Sequence, residues 1–112
     1  MGSFQGIDTI DNNSELNFNQ FVTFTKDYFS KHLYNYTSER EYFNPNGYWG
    51  IYFVNKNIEL FLGSERSFFT FQLRVDNKTI NVGEIDSRIK MLERTSKKNI
   101  IYLINAIKGF LI

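Results

Sequence analysis

The stretch S-F-F-T-F-Q-L-R-V, residues 67–75, alternates with a period of two. Phe69, Phe71, Leu73 and Val75 fall on one face, and Phe68, Thr70, Gln72 and Arg74 on the other. A chain that alternates in this way reads as a half-buried β-strand, because successive side chains of a strand point to opposite sides of the sheet. Working upstream, residues 47–64 read GYWGIYFVNKNIELFLGS. Residues 58–62 place Ile58, Leu60 and Leu62 inward and Glu59 outward, Asn55-Lys56-Asn57 supplies a hairpin loop, and 48–54 is apolar on both faces. Before them, Asn44-Pro45-Asn46-Gly47 is a turn, since proline fixes φ and glycine accepts φ > 0. Downstream, Asp76-Asn77-Lys78 turns the chain into a short strand at 79–82. These segments predict an antiparallel meander of about four strands.

Outside the meander the period lengthens. After Asp11-Asn12-Asn13-Ser14, apolar residues recur at Phe18, Phe21, Val22, Phe29, Leu33 and Tyr36, with Ser14 placed as an N-cap and Glu15 in the first turn. A helix over about 15–36 is expected, held by packing because its aromatics lower its own helical propensity. Ile85, Ile89 and Leu92 predict a second helix over about 84–95. Residues 98–108 suit either a buried helix face or an inner strand, and the helix is preferred. The expected fold is α+β: one N-terminal helix, a meander and two C-terminal helices in a single domain spanning 1–112. Residues 1–13 are expected to be poorly ordered or a short extended segment.

Composition narrows the class. The chain has 112 residues, is 42% hydrophobic and 18% aromatic, and can bury a core without disulfides, having no cysteine. Its 13 Lys+Arg against 12 Asp+Glu give a formal net charge of +1, which is no footprint for a polyanion. Residues 1–65 nevertheless carry 4 basic and 8 acidic groups, while 86–112 carry 6 and 2, so the chain is polar from end to end. The start, MGSFQGIDTIDNN, has no basic and apolar leader pattern, and NIIYLINAIKGFLI is short for a membrane span. A cytoplasmic protein away from the membrane is expected.

Catalytic constellations are hard to assemble from these residues. His32 has no cysteine to work with and no carboxylate four residues away, so a metal site or a nucleophile and base pair lacks members. Glu39 and Glu41 flank Arg40 in a polar segment that reads as a solvated loop, and no phosphate-binding glycine motif occurs. The expectation is a protein that is not an enzyme and needs no cofactor or metal. Nucleic-acid binding is also disfavoured. Arg66-Ser67-Phe68-Phe69-Thr70-Phe71 echoes the aromatic strand of an RNA-recognition motif, but that motif needs a helix between its first two strands and only Asn55-Lys56-Asn57 intervenes here.

The aromatic residues leave two arrangements open. If Trp49, Ile51 and Phe53 face helices, pleating puts Tyr48, Tyr52 and Val54 on the opposite side together with Phe61 and Phe68. Either the C-terminal helices cover that side, making every aromatic core, or it is an exposed tyrosine-rich surface of the kind protein interfaces enrich. The stretch NGYWGIYFVNKNIELFLGSE, with the small size and the Asn-, Ile-, Phe- and Tyr-rich composition, resembles the small immunity proteins of bacterial polymorphic and contact-dependent growth-inhibition toxin systems. That resemblance implies a non-catalytic cytoplasmic protein that binds a cognate toxin domain, such as a nuclease, and blocks it. The candidate contact residues are Glu39, Glu41, Tyr48, Tyr52, Glu59 and Glu65, an acidic rim around tyrosine anchors suited to a basic target. The competing readings are a nucleic-acid-binding regulator that uses Arg88, Lys90, Arg94, Lys97, Lys98 and Lys108, and a scaffold or homodimer subunit without ligand; monomer or homodimer is left open.

Overall fold

The structure, a computed structural model, describes residues 16–66 and 68–112. The expectations for 1–13, and for Ser14 and Glu15, lie outside the described residues.

Helix α1 spans Phe18–His32. It is capped by Asn17, whose side chain accepts from the Gln20 N–H at 2.9 Å while the Gln20 side chain accepts from the Asn17 N–H at 3.1 Å. The reciprocal pair satisfies two otherwise orphan donors. Phe21, Thr25 and Phe29, spaced by four, form its buried stripe. Leu33 closes it by donating its N–H to Phe29 O at 2.8 Å, so the helix ends sooner than the apolar spacing through Tyr36 suggested.

The sheet has five strands, β1 Thr37–Asn44, β2 Tyr48–Asn55, β3 Ile58–Glu65, β4 Phe68–Val75 and β5 Lys78–Ile80, in that spatial order and all antiparallel. The meander is therefore as expected, with one strand more. Residues 37–44, which read as turn and solvated loop around Glu39 and Glu41, form β1. Edge position explains the disguise: most β1 residues are exposed, so no apolar alternation marks them. Glu39 sits in a bulge between the pairs Ser38↔Phe53 and Arg40↔Tyr52. The two-residue turns use left-handed residues, Lys56 at φ 55° and then Asp76 and Asn77 at 55° and 65°.

The expected helix over 84–95 is absent. Instead α2 covers Val82–Ile85, a 3-10 turn covers Ser87–Met91, and residue 94 bridges back to Phe68 at the sheet. The break falls at Asp86, held extended at φ −149°, whose carboxylate caps the following turn by accepting from the Arg88 N–H at 2.9 Å. An aspartate that competes for backbone donors starts segments better than it continues them. The ambiguous 98–108 stretch is helical: α3 spans Lys97–Ala106 under a Ser96 cap, and α4 spans Lys108–Leu111.

All helices contribute to a single core on one side of the sheet. Phe29 of α1 stacks on Phe53 of β2 with ring centroids 3.8 Å apart. Ile89, Ile100, Leu103, Ile104 and Leu111 join the same buried cluster. Every sheet side chain that is fully buried, namely Ile51, Phe53, Leu60, Leu62, Ser64, Phe69 and Leu73, points to this side. Burying each large apolar side chain contributes roughly 1.5–3 kcal/mol. Among the described residues nothing covers the other face, and the C-terminal helices lie on the core side, so they do not make that face core.

Candidate functional site: the uncovered sheet face

Pleating and register place four rows of side chains on the open face. Reading from β1 to β4, they are Thr37, Val54, Glu59 and Arg74; then Arg40, Tyr52, Phe61 and Gln72; then Tyr42, Gly50, Gly63 and Thr70; then Asn44, Tyr48, Glu65 and Phe68. The centre is shaped by the directly paired glycines. A Cβ on Gly50 would lie 2.7 Å from Phe61 Cζ, and one on Gly63 would lie 2.6 Å from the same atom. Phe61 therefore lies flat on bare backbone, the packing by which a cross-strand aromatic compensates for glycine in a sheet. Tyr42 stacks parallel to it at 6.2 Å and an 8° interplanar angle, and Tyr52 tilts against it at 4.8 Å.

Arginines border this aromatic centre. The Arg40 guanidinium lies 4.0 Å from the Tyr52 ring centroid and the Arg66 guanidinium 5.8 Å from that of Tyr48. A hydrogen bond to the Tyr52 side chain, reinforced by nearby acidic groups, holds the Arg40 pKa above its ordinary value. Partial burial, with the Tyr52 and Glu65 charges adding to it, raises the Tyr42 phenol, so that group stays neutral in ordinary solution. Phe68 is 64% exposed, and Tyr42 stays 41% exposed despite its stacking on Phe61, which is large for aromatic rings. At the β2–β3 hairpin end the face opens into a recess of about 400 Å³ lined by Glu39, Val54, Glu59, Arg74 and Asp76.

The expected contact residues separate. Tyr48, Tyr52, Glu59 and Glu65 share the open face, Glu65 directly opposite Tyr48. Glu59 is engaged by Arg74 at 3.8 Å. Glu41 does not belong: the bulge at Glu39 resets the alternation, Glu41 pairs with Ile51 on the helix side, and its carboxylate meets Lys26 of α1 at 2.6 Å. Glu39 stands in the bulge beside the recess. Sequence reasoning missed Arg40, Tyr42 and Arg66 as members of this surface, and read Arg74 on the face of Phe68 without counting it as a contact residue. The signal for Arg40 and Tyr42 was their alternation with Glu41 and Phe43, visible only once 37–44 is read as a strand. The consequence is electrostatic: the face carries both signs of charge and is not an acidic patch.

Elsewhere the chemistry is sparse. Among the described residues no three His, Cys, Asp or Glu side chains converge as a metal site, and no helix is long and apolar enough to cross a membrane. His32 is exposed and packs on Tyr28 at 4.5 Å. Of the C-terminal cations, Arg88 is held by Asp86 at 3.3 Å and lies 5.5 Å from the Tyr102 ring centroid, and Lys97 lies 5.6 Å from that of Phe24. The unpartnered buried Trp49 Nε1 and Ser64 hydroxyl belong to opposed residues on the core side of β2 and β3. No protein-family model, curated protein or solved structure matches the chain.

Proposed function

We propose that this protein is a non-catalytic immunity protein that binds a cognate bacterial toxin domain in the cytoplasm through the uncovered sheet face. The observation that carries the reading is the concentration of Tyr42, Tyr48, Tyr52, Phe61 and Phe68 with Arg40, Arg66 and Arg74 on a face that has no covering layer among the described residues. Tyrosine and arginine are the residues that dominate binding energy when a partner excludes water from them. The resemblance in size and composition to immunity proteins supplies the kind of partner. Glu41 points away and arginines offset Glu59 and Glu65, so a strongly basic target such as a nuclease draws no particular support from this surface.

The test is binding of the purified protein to the C-terminal domain of a secreted protein encoded immediately upstream, followed by surface plasmon resonance. Tyr52→Ala is expected to weaken binding by about 2 kcal/mol or more, chiefly through faster dissociation, with thermal unfolding little changed. The direction in which Glu65→Lys changes the association rate reports the sign of the partner's surface. Full affinity in a folded Tyr52→Ala variant would remove the open face from the mechanism.

A further inference from the structure

We infer that a second copy of this chain packs on the open sheet face, giving a two-fold dimer in which two five-stranded sheets close as a sandwich. The inference goes beyond the toxin reading and uses the same face, so a second copy and a toxin domain would compete for it. Its basis is that the face is complementary to itself in charge about one axis and not about the other.

Consider a two-fold axis running along the strands between β2 and β3. Each β2 position then meets the β3 position of its own row in the other copy. Tyr52 meets Phe61, Gly50 meets Gly63, Tyr48 meets Glu65, and Val54 meets Glu59, while on the flanks Arg40 meets Gln72 and Arg74 meets Thr37. Because Arg66 is held over Tyr48, it faces Glu65 of the other copy twice, once from each side. No like charges oppose one another. Turning the axis perpendicular to the strands, midway between the Tyr52 and Gly50 rows, instead sets Glu59 of each copy against Glu65 of the other, so that arrangement is repulsive. Among the described residues neither Arg40, Arg66 nor Glu65 has an ion pair within its own chain, whereas Glu41, away from this face, is paired.

Area sets the strength. About this axis β1 overlaps β4 and β2 overlaps β3; four strands about 4.8 Å apart and eight residues of about 3.4 Å rise give a face on the order of 500 Å² per copy, or about 1,000 Å² in total. That lies at the lower limit for specific association, so the dimer is reversible and weak rather than obligate. Aligned sheet packing brings the two aromatic centres to about 10 Å separation, which lets Tyr42, Tyr52 and Phe61 of both copies exclude water together.

Analytical ultracentrifugation of the intact protein between about 5 and 300 µM tests this. The expected result is concentration-dependent dimer formation that weakens at least tenfold in Glu65→Lys and in Arg66→Glu. An equimolar mixture of those two variants is expected to associate more tightly than either variant alone, since each restores the opposite charge across the axis. Circular dichroism melts that match the parent exclude misfolding as the cause. A wild-type protein that stays a 13.3 kDa monomer throughout the range, or variants whose mixture shows no gain, would overturn the proposal.

Discussion

A single aromatic ring organises the open face. Phe61 occupies the space above Gly50 and Gly63, and the two glycines differ in what a methyl group would meet. At Gly50 the obstruction is mainly the Phe61 ring, which can swing aside, whereas at Gly63 the new atom also collides with the Trp49 carbonyl. Gly63→Ala is therefore expected to cost about 1–3 kcal/mol in urea denaturation, and Gly50→Ala less, while displacing Phe61. Asp86 offers a second residue-level test. The Tyr102 hydroxyl donates to it at 2.7 Å and, with Arg88, holds its carboxyl below the ordinary value. A depressed folded-state pKa contributes stability that is present above the ordinary carboxylate range, near about pH 4, and is lost as pH falls through the folded value. The same contact raises the Tyr102 phenol, so that contribution fades only above about pH 10. Tyr102→Phe is expected to lower the urea midpoint near neutrality, with the gap closing in acid. At this scale the site was partly legible: strict alternation located Tyr48, Tyr52, Glu59 and Glu65, but Glu39 and Glu41 were read as loop, and the bulge at Glu39 sets the phase that turns Glu41 to the helix side.

Segments that bury one face were readable, and segments that bury little were not. The β4 alternation and the buried stripe of α1 are consequences of packing, so they appear in the sequence as periods of two and 3.6. β1 and the region from Val82 to Met91 have no such stripe, and local hydrogen bonding decides them. The start of α1 shows how local that decision is, since the cap is Asn17, with Gln20 completing it, rather than a residue farther upstream. Asn17→Ala is expected to lower stability by about 1 kcal/mol without altering the sheet, measurable as a shift in chemical denaturation at constant slope.

One core serves the whole molecule, and its members differ in how much they hold. Phe53 is 1% exposed and stacked on Phe29, so Phe53→Ala is expected to cost about 3–5 kcal/mol out of the roughly 5–15 available to a domain. Phe71, toward the same side but only partly buried, should cost less. Because all helices lie on one side, the sheet keeps two free edges as well as a free face among the described residues, and those edges are unlike. β5 ends after three residues, whereas β1 runs for eight. The bulge at Glu39 interrupts the longer one. Deleting Glu39 would leave Thr37, Ser38 and Arg40 in one unbroken register with Val54, Phe53 and Tyr52. An uninterrupted seven-residue edge is a template on which other chains polymerise, so a single surplus residue acts as a brake on fibril growth. Thioflavin fluorescence should rise after a shorter lag in the deletion variant than in the parent under the same mildly destabilising conditions.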